Sequence, residues 1–299
     1  MPDHTPSATW LAGGGEMGVL IRSHPWADTS LGPPESWPQS LRSAVSILLP
    51  SKAQIVLFWG PELVAIYNDA YTPTMGTKHP RALGRPAREC FSETWEVLGP
   101  LFEGVLRTGE AFAATEYPFF LNRQGFLEET YYDVSYDPVR IEDGSVGGIF
   151  CIVSDQTGRV VGERRLRTLR ELGTRTADAR SAAEVCRHAA AVLAGDPKDC
   201  PFAVMVLFDA PDELVSVAGV ERTAVAPLDR WLDDEVIGGV RDGRIAEADA
   251  AAFVDRAPEI AGDRVLVLPI SSGTQIVGAL VAGLSRHLRL SADYRDFFD

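Results

Sequence analysis

The chain has 299 residues, 45% hydrophobic and 23% charged, which suits a soluble globular protein of about two domains, each able to bury its own core. Its formal net charge of −14 repels nucleic-acid phosphates and anionic lipid, so neither nucleic-acid binding nor electrostatic membrane docking is expected. Four cysteines without a C-x-x-C pair or a histidine at ligand spacing argue against a zinc site and fit a reducing cytoplasm.

The N-terminus lacks the charged-then-apolar pattern of a signal peptide. No segment reaches the roughly 20 apolar residues of a membrane helix. The expected location is therefore the cytoplasm, with no membrane contact. Residues 1–35, rich in Gly, Pro, Ser and Trp, read as a mostly irregular N-terminal arm. A helix follows, with Ser36 and Gln39 at capping-box spacing and Leu41, Val45, Leu48 and Leu49 on one apolar face.

Residues 54–59 and 63–67 read as a strand hairpin broken at Gly60-Pro61. Asn68 is placed to cap a short helix starting at Asp69. Residues 81–90 read as irregular and 93–108 as a helix. Strands are expected over 114–121, 131–141 and 146–153, with a turn at Glu142-Asp143-Gly144-Ser145. This order predicts an antiparallel sheet with helices grouped on one face, an α+β domain over residues 36–157.

Residues 158–180 turn helical and charged, and Leu166, Leu169, Gly173 and Thr176 follow the 3-4-3 spacing of a coiled-coil seam. This connecting helix leads into a second α+β domain over 181–299. It opens with a capping box, Ser181 and Glu184, on a helix with Val185, Ala189, Val192 and Leu193 facing inward. Strands at 202–208 and 214–220 flank a turn at Ala210-Pro211-Asp212, and a helix is expected over 228–240. Strands at 265–270 and 275–284 complete a second antiparallel sheet. Ser291 caps a last helix on which Phe297 and Phe298 read as an exposed pair, implying that the chain continues into something longer.

Tyr67-Asn68-Asp69-Ala70-Tyr71, Leu83-Gly84-Arg85-Pro86, Ser135-Tyr136-Asp137-Pro138-Val139, Glu142-Asp143-Gly144, Gly147-Gly148-Ile149 and Asp155-Gln156-Thr157 stand in the order of the motifs of a PAS domain, which the first domain resembles. Gly13 to Leu49, with Leu31-Gly32-Pro33-Pro34 and Trp37-Pro38, resembles the lead-in of PAS domains in soluble multi-domain sensor histidine kinases. Val267-Leu268-Pro269-Ile270 followed by Val277-Gly278-Ala279-Leu280-Val281 resembles a GAF domain. The resemblance implies a bacterial sensory input module that binds a small ligand or only dimerises. It would relay its state through helices to an output domain missing from this chain. That output would be a histidine kinase of a two-component system; related PAS–GAF chains carry a phosphatase or a cyclic-dinucleotide enzyme instead. A homodimer through the connecting helix is expected, and a ligand-free dimerisation scaffold is the competing reading.

The resemblance also makes Asp155 and Thr157 the signal-coupling pair. A short carboxylate leaving a last strand can bond groups two residues on and set the angle at which the next helix departs. Tyr67, Tyr71, Trp95, Tyr132 and Tyr136 are candidate lining of a PAS pocket, against the plainer role of core packing.

Gly13-Gly14-Gly15-Glu16-Met17-Gly18 fits G-x-G-x-x-G, but no strand precedes it, so a turn is expected rather than a nucleotide site. Cys90 lacks the flanking asparagine of flavin-binding PAS relatives and reads as a buried structural thiol. His79 reads as a surface residue rather than a haem ligand, and His188 as packing or partly exposed. Cys186 and Cys200 lack a bilin-attachment context, and the cyclic-nucleotide pattern of some GAF relatives is absent. No nucleophile–base pair, metal cluster or phosphate loop emerges. No catalytic residue, metal or cofactor is therefore assigned, only an unidentified small ligand.

Overall fold

The computed structural model describes residues 9–209, 214–226, 235–255 and 262–298. Two compact units divide the chain, Met1–Val160 and Val161–Asp299. The turn expected at Ala210-Pro211-Asp212 and the first part of the helix expected over 228–240 lie outside the described residues.

The first unit is built on one five-stranded sheet, ordered β2-β1-β5-β4-β3. Its strands are β1 (Gln54–Trp59), β2 (Val64–Tyr67), β3 (Phe112–Asn122), β4 (Leu127–Arg140) and β5 (Val146–Asp155), and every pairing is antiparallel. Side chains alternate across a strand. Val56 and Phe58 therefore face the helical side while Ile55 and Leu57 face the other, and all four are buried. The helical side carries α3 (Thr72–Met75), α4 (Ala87–Cys90) and α5 (Trp95–Thr108).

Of the expected irregular arm, residues 9–35 are described and are not irregular. Among them α1 (Gly15–Ser23) follows a 3-10 turn, and Met17, Ile21 and Trp26 are fully buried in the same core as the sheet. Trp26 and Trp37 rings meet edge-on at 5.1 Å, with Trp10 beyond at 5.5 Å. The short helix gives little periodicity to read, but burying each such side chain contributes on the order of 1.5–3 kcal/mol, which orders the segment.

The expected capping box at the start of α2 (Gln39–Leu48) does not form. Ser36 donates its hydroxyl to Pro33 O, and Pro38 holds the N-cap position. The exposed first turn is capped instead from the β4–β5 turn, where Glu142 Oε1 accepts from Ser40 N at 2.9 Å. These contacts hold the Glu142 carboxyl below its ordinary pKa.

Asn68 caps as expected and does more. Fully buried, its Oδ1 accepts from Ile55 N (3.2 Å) and Tyr71 N (3.1 Å), while its Nδ2 donates to Leu48 O, Ser51 O and Ala53 O. One side chain thus ties the end of α2, the start of β1 and the turn after β2.

The connecting helix is present as α6 (Thr157–Thr176), and the border between the two units falls within it. The second sheet is ordered β7-β6-β10-β9-β8, from β6 (Ala203–Leu207), β7 (Leu214–Ala218), β8 (Ala246–Asp249), β9 (Arg264–Ser272) and β10 (Gln275–Gly283). Val265 and Val267 pack on one face, and Leu266 and Leu268 on the other. Burial on both faces explains the unbroken apolar run of β9. Strand β8, Ala-Glu-Ala-Asp, was not expected; four small and acidic residues carry no strand signal.

On one face lies α7 (Ala182–Leu193), with Ser181 accepting from Glu184 N and Glu184 reaching back to Arg180 N. Its buried residues are Cys186, Ala190, Val192 and Leu193, so Val185, expected inside, is exposed. The opposite face carries α8 (Glu235–Arg241).

The terminal aromatic pair is not exposed. On α9 (Ala292–Asp296) and just after it, Tyr294 and Phe297 are buried in the α7-side core and Phe298 packs against it. The Tyr294 hydroxyl donates to the carbonyl of Asp199 and accepts from Ser285 N at 3.0 Å. These long-range partners convert an apparently unfinished helix into a packed one.

Among the described residues, no helix is long and apolar enough to cross a membrane, and no group of three acidic, Cys or His residues could hold a metal ion.

Candidate functional site

Between α5 and the helical face of the first sheet lies a cavity of about 30 Å³. Val56, Phe58, Phe102, Val134 and Cys151 contribute its apolar lining, with Tyr71, Thr74, Tyr132 and Tyr136 as the polar-tipped members. Of the five aromatic residues expected to line a pocket, Tyr71, Tyr132 and Tyr136 do so. Tyr67 points its hydroxyl at His79 Nδ1 (3.0 Å), and Trp95 packs edge-on to Phe102 outside the cavity lining. The space is about that of one or two waters.

Burial raises the hydroxyl pKa of Tyr71 and Tyr136 well above the ordinary value. Tyr132 is pushed up to about 12, burial outweighing the opposing Arg123 charge. All three are neutral hydrogen-bonding groups at physiological pH.

Tyr132 is the member with a connection outward. Its hydroxyl contacts Thr74 Oγ1 at 3.3 Å inside the cavity and accepts from Arg123 Nη1 at 2.9 Å. Arg123 sits in the β3–β4 turn, nearly buried, and grips Glu128 through both carboxylate oxygens (Nε–Oε2 2.9 Å, Nη2–Oε1 2.8 Å). The same Nη1 donates to Asp155 Oδ2 at 2.5 Å. Burial opposes the guanidinium charge, but Glu128, Tyr132 and Asp155 outweigh it and raise the pKa of Arg123.

Asp155 ends β5, and its other oxygen, Oδ1, accepts from Thr157 N at 2.8 Å. Thr157 Oγ1 in turn accepts from Tyr131 N at 3.0 Å. The expected pair therefore fixes the first residue of α6 to β4 and β5. Burial tends to raise the Asp155 pKa, yet the Thr157 and Arg123 hydrogen bonds prevail and hold it below the ordinary value. Two residues on, Arg159 pairs with Glu116 at 2.7 Å, at a β3 bulge where Glu116 has φ +51°.

Arg123 was missed from the sequence. In Asn122-Arg123-Gln124-Gly125 it reads as a solvent-facing charge in a turn, and nothing local marks partners 5, 9 and 32 positions away.

The remaining motif residues serve the fold. A Cβ on Gly15 would lie 2.1 Å from Asp69 Oδ2, and Met17 N donates to Asp69 Oδ1 at 2.7 Å. The glycine-rich segment therefore seats a carboxylate of the chain itself. His79, expected at the surface, is largely covered between Tyr67 and Glu16, its Nε2 3.4 Å from Glu16 Oε1; α1 supplies that cover. Cys90 is buried with its thiol pushed up to about 11 by burial, and its Sγ faces Ala82 O at 3.6 Å. His188 is exposed on α7.

Within the second unit, α6 is held by a buried acidic pair. Arg164 Nε (2.5 Å) and Arg165 Nε (2.8 Å) meet the two oxygens of Asp199, whose side chain is wholly buried. Thr168 Oγ1 donates to Asp196 Oδ2 at 2.7 Å, and Arg165 lies 4.4 Å over the Tyr294 ring. By contrast Leu166 and Leu169, on the expected seam, are 46% and 43% exposed.

No family model matches the chain. Among solved structures it is similar to a sensory box sensor histidine kinase from Vibrio cholerae, at 16% identity and TM-score 0.29 over 34% of this chain and 81% of that one. It is similar to the GAF domain of an Acinetobacter phosphoenolpyruvate-protein phosphotransferase, at 16% identity and TM-score 0.34 over 45% of this chain and 86% of that one. The chromophore-binding domain of a Stigmatella aurantiaca bacteriophytochrome matches at 13% identity and TM-score 0.33, over 82% of this chain and 91% of that one. The described residues form two five-stranded antiparallel sheets, each joined to helices, the α+β organisation expected for both domains.

Proposed function

We propose that this chain is the sensory input region of a signal-transduction protein whose output is a histidine kinase, and that catalysis is left to that output. In this reading, a change at the cavity wall alters the pairing of Arg123, and so the hold on Asp155 and Thr157 from which α6 departs. The observation that supports it most is Arg123 Nη1, which donates at once to Tyr132 on the cavity wall and to Asp155 at the strand end. A cavity of about 30 Å³ admits no metabolite as it stands, so a ligand would act by selecting an expanded minor state.

Hydrogen exchange of α6 tests the coupling. Tyr132→Phe keeps the cavity wall and removes one Arg123 partner; amides at 157–164 should exchange faster than in the unchanged chain. Equal protection there in Tyr132→Phe and in Arg123→Met would overturn the reading.

A ligand-free dimerisation scaffold is the second reading, favoured by the smallness of the cavity and by the exposed Leu166 and Leu169. Native mass spectrometry separates the two: a retained small molecule supports sensing. A bare dimer that Leu166→Glu dissociates supports the scaffold.

A further inference from the structure

In a chain of net charge −14, the segment from Lys78 to Arg88 holds Lys78, Arg81, Arg85 and Arg88 and no acidic residue. The fold fixes this segment rigidly. Ala65 N donates to Arg85 O and Gly84 N to Ala65 O, so the loop is hydrogen-bonded along β2, and Ala87 N donates to Leu63 O. Leu83 and Ala87 are buried beneath it.

A recess of about 240 Å³ opens in this loop, lined by Lys78, Arg81, Ala82, Arg85, Glu89 and Cys90. Lys78 is paired with Glu93. The side chains of Arg81 and Arg85 make no hydrogen bond or ion pair among the described residues. Arg81 and Arg85 thus bring two unpaired positive charges to the lining of one recess, where they repel each other, and Glu89 is the one carboxylate among its lining residues. An anion with several acceptor oxygens relieves that repulsion through charge-assisted, fork-like hydrogen bonds, which Arg makes best with phosphate and carboxylate groups. Arg85 and Glu89 also border a neighbouring recess of about 430 Å³ whose wall carries His24, Asp28, Thr29, Ser30 and Glu62. Hydroxyl and carboxylate groups of that kind suit a polar, hydroxyl-bearing body.

We propose that the Lys78–Arg81–Arg85 recess is a binding site for a small soluble phosphate compound, its phosphate held by Arg81 and Arg85 and a polar body directed into the adjoining recess. Phosphate is favoured over a carboxylate because its three terminal oxygens and larger negative charge can meet two guanidinium forks, where one carboxylate has only two oxygens to share between them. The site is separate from the cavity at Tyr132, so its test stands apart from that of the coupling reading.

The test is a titration of the intact chain with inorganic phosphate and then pyrophosphate at constant ionic strength, followed by amide NMR shifts. Saturable shifts confined to residues 78–90 and to the walls of the adjoining recess are expected. The double variant Arg81→Gln/Arg85→Gln should weaken binding by about tenfold or more, as loss of charge-assisted bonds requires, with an unchanged melting temperature. Arg107→Gln, an exposed cation elsewhere in the first unit, should leave binding unchanged. Shifts that never saturate, that spread evenly over surface cations, or that Arg107→Gln reduces as much as the double variant would overturn the proposal. So would saturable binding of an oligoglutamate peptide with none of phosphate.

Discussion

Arg123 Nη1 lies 2.5 Å from Asp155 Oδ2, joining the β3–β4 turn to the last residue of β5 at the point where α6 begins. The contact closes a path of hydrogen bonds from Thr74 and Tyr132 in the core to Thr157 at the helix start. Removing the guanidinium strands Glu128, which is as buried as Arg123 itself.

Arg123→Ala should therefore destabilise the first unit by about 3–5 kcal/mol, the usual cost of leaving a buried charge unpaired. Arg123→Met together with Glu128→Gln should recover much of that loss. Trp10, Trp26, Trp37, Trp59 and Trp95 all belong to this unit, so tryptophan fluorescence in urea reads it largely apart from the second. A shift of the first-unit midpoint no larger than that of an exposed substitution would refute the assignment.

Asp155 predicts the sign of the acid dependence. Its pKa is lowered in the folded state, so the unfolded chain binds a proton more readily. Its contribution is fully present above the ordinary aspartate value of 3.8 and is lost as pH falls through its lower folded value. In Asp155→Asn the stability of the first unit should fall less steeply with acid over that window. Parallel curves for the two proteins would contradict it.

Asn68 is the most connected buried polar side chain in the turn after β2. Asn68→Ala should cost about 3 kcal/mol or more, since several backbone groups lose partners where water cannot replace them. Asn68→Asp should cost more still: it keeps the acceptor for Ile55 and Tyr71, loses the donor to three carbonyls and buries a charge. Thermal melts of both variants check the order.

Asp199 in the second unit gives a contrast of context. Asp199→Ala leaves Arg164 and Arg165 without their shared buried partner and should cost about 3–5 kcal/mol. Asp242→Ala, which breaks the exposed pair with Arg244 at 3.2 Å, should change stability by less than about 1 kcal/mol. Denaturant unfolding followed by far-UV dichroism separates the two, and similar costs would show that burial of the Asp199 cluster has been misread.

Sequence by itself determined the two α+β units, the strand succession through β1 to β5, the caps at Asn68, Ser181 and Ser291, and the Asp155–Thr157 pair. Each is written in signals a few residues long: alternation, capping spacing, a carboxylate two positions before a hydroxyl. Only the tertiary structure decided that the N-terminal segment is part of the core, that Glu142 rather than Ser36 caps α2, and that Phe297 is covered. The same holds for Arg123 and Asp199, whose roles depend on partners tens of residues away. A charged residue in a turn looks alike whether it faces water or a buried carboxylate, because local sequence encodes the backbone's preferences and not what the rest of the chain packs against it.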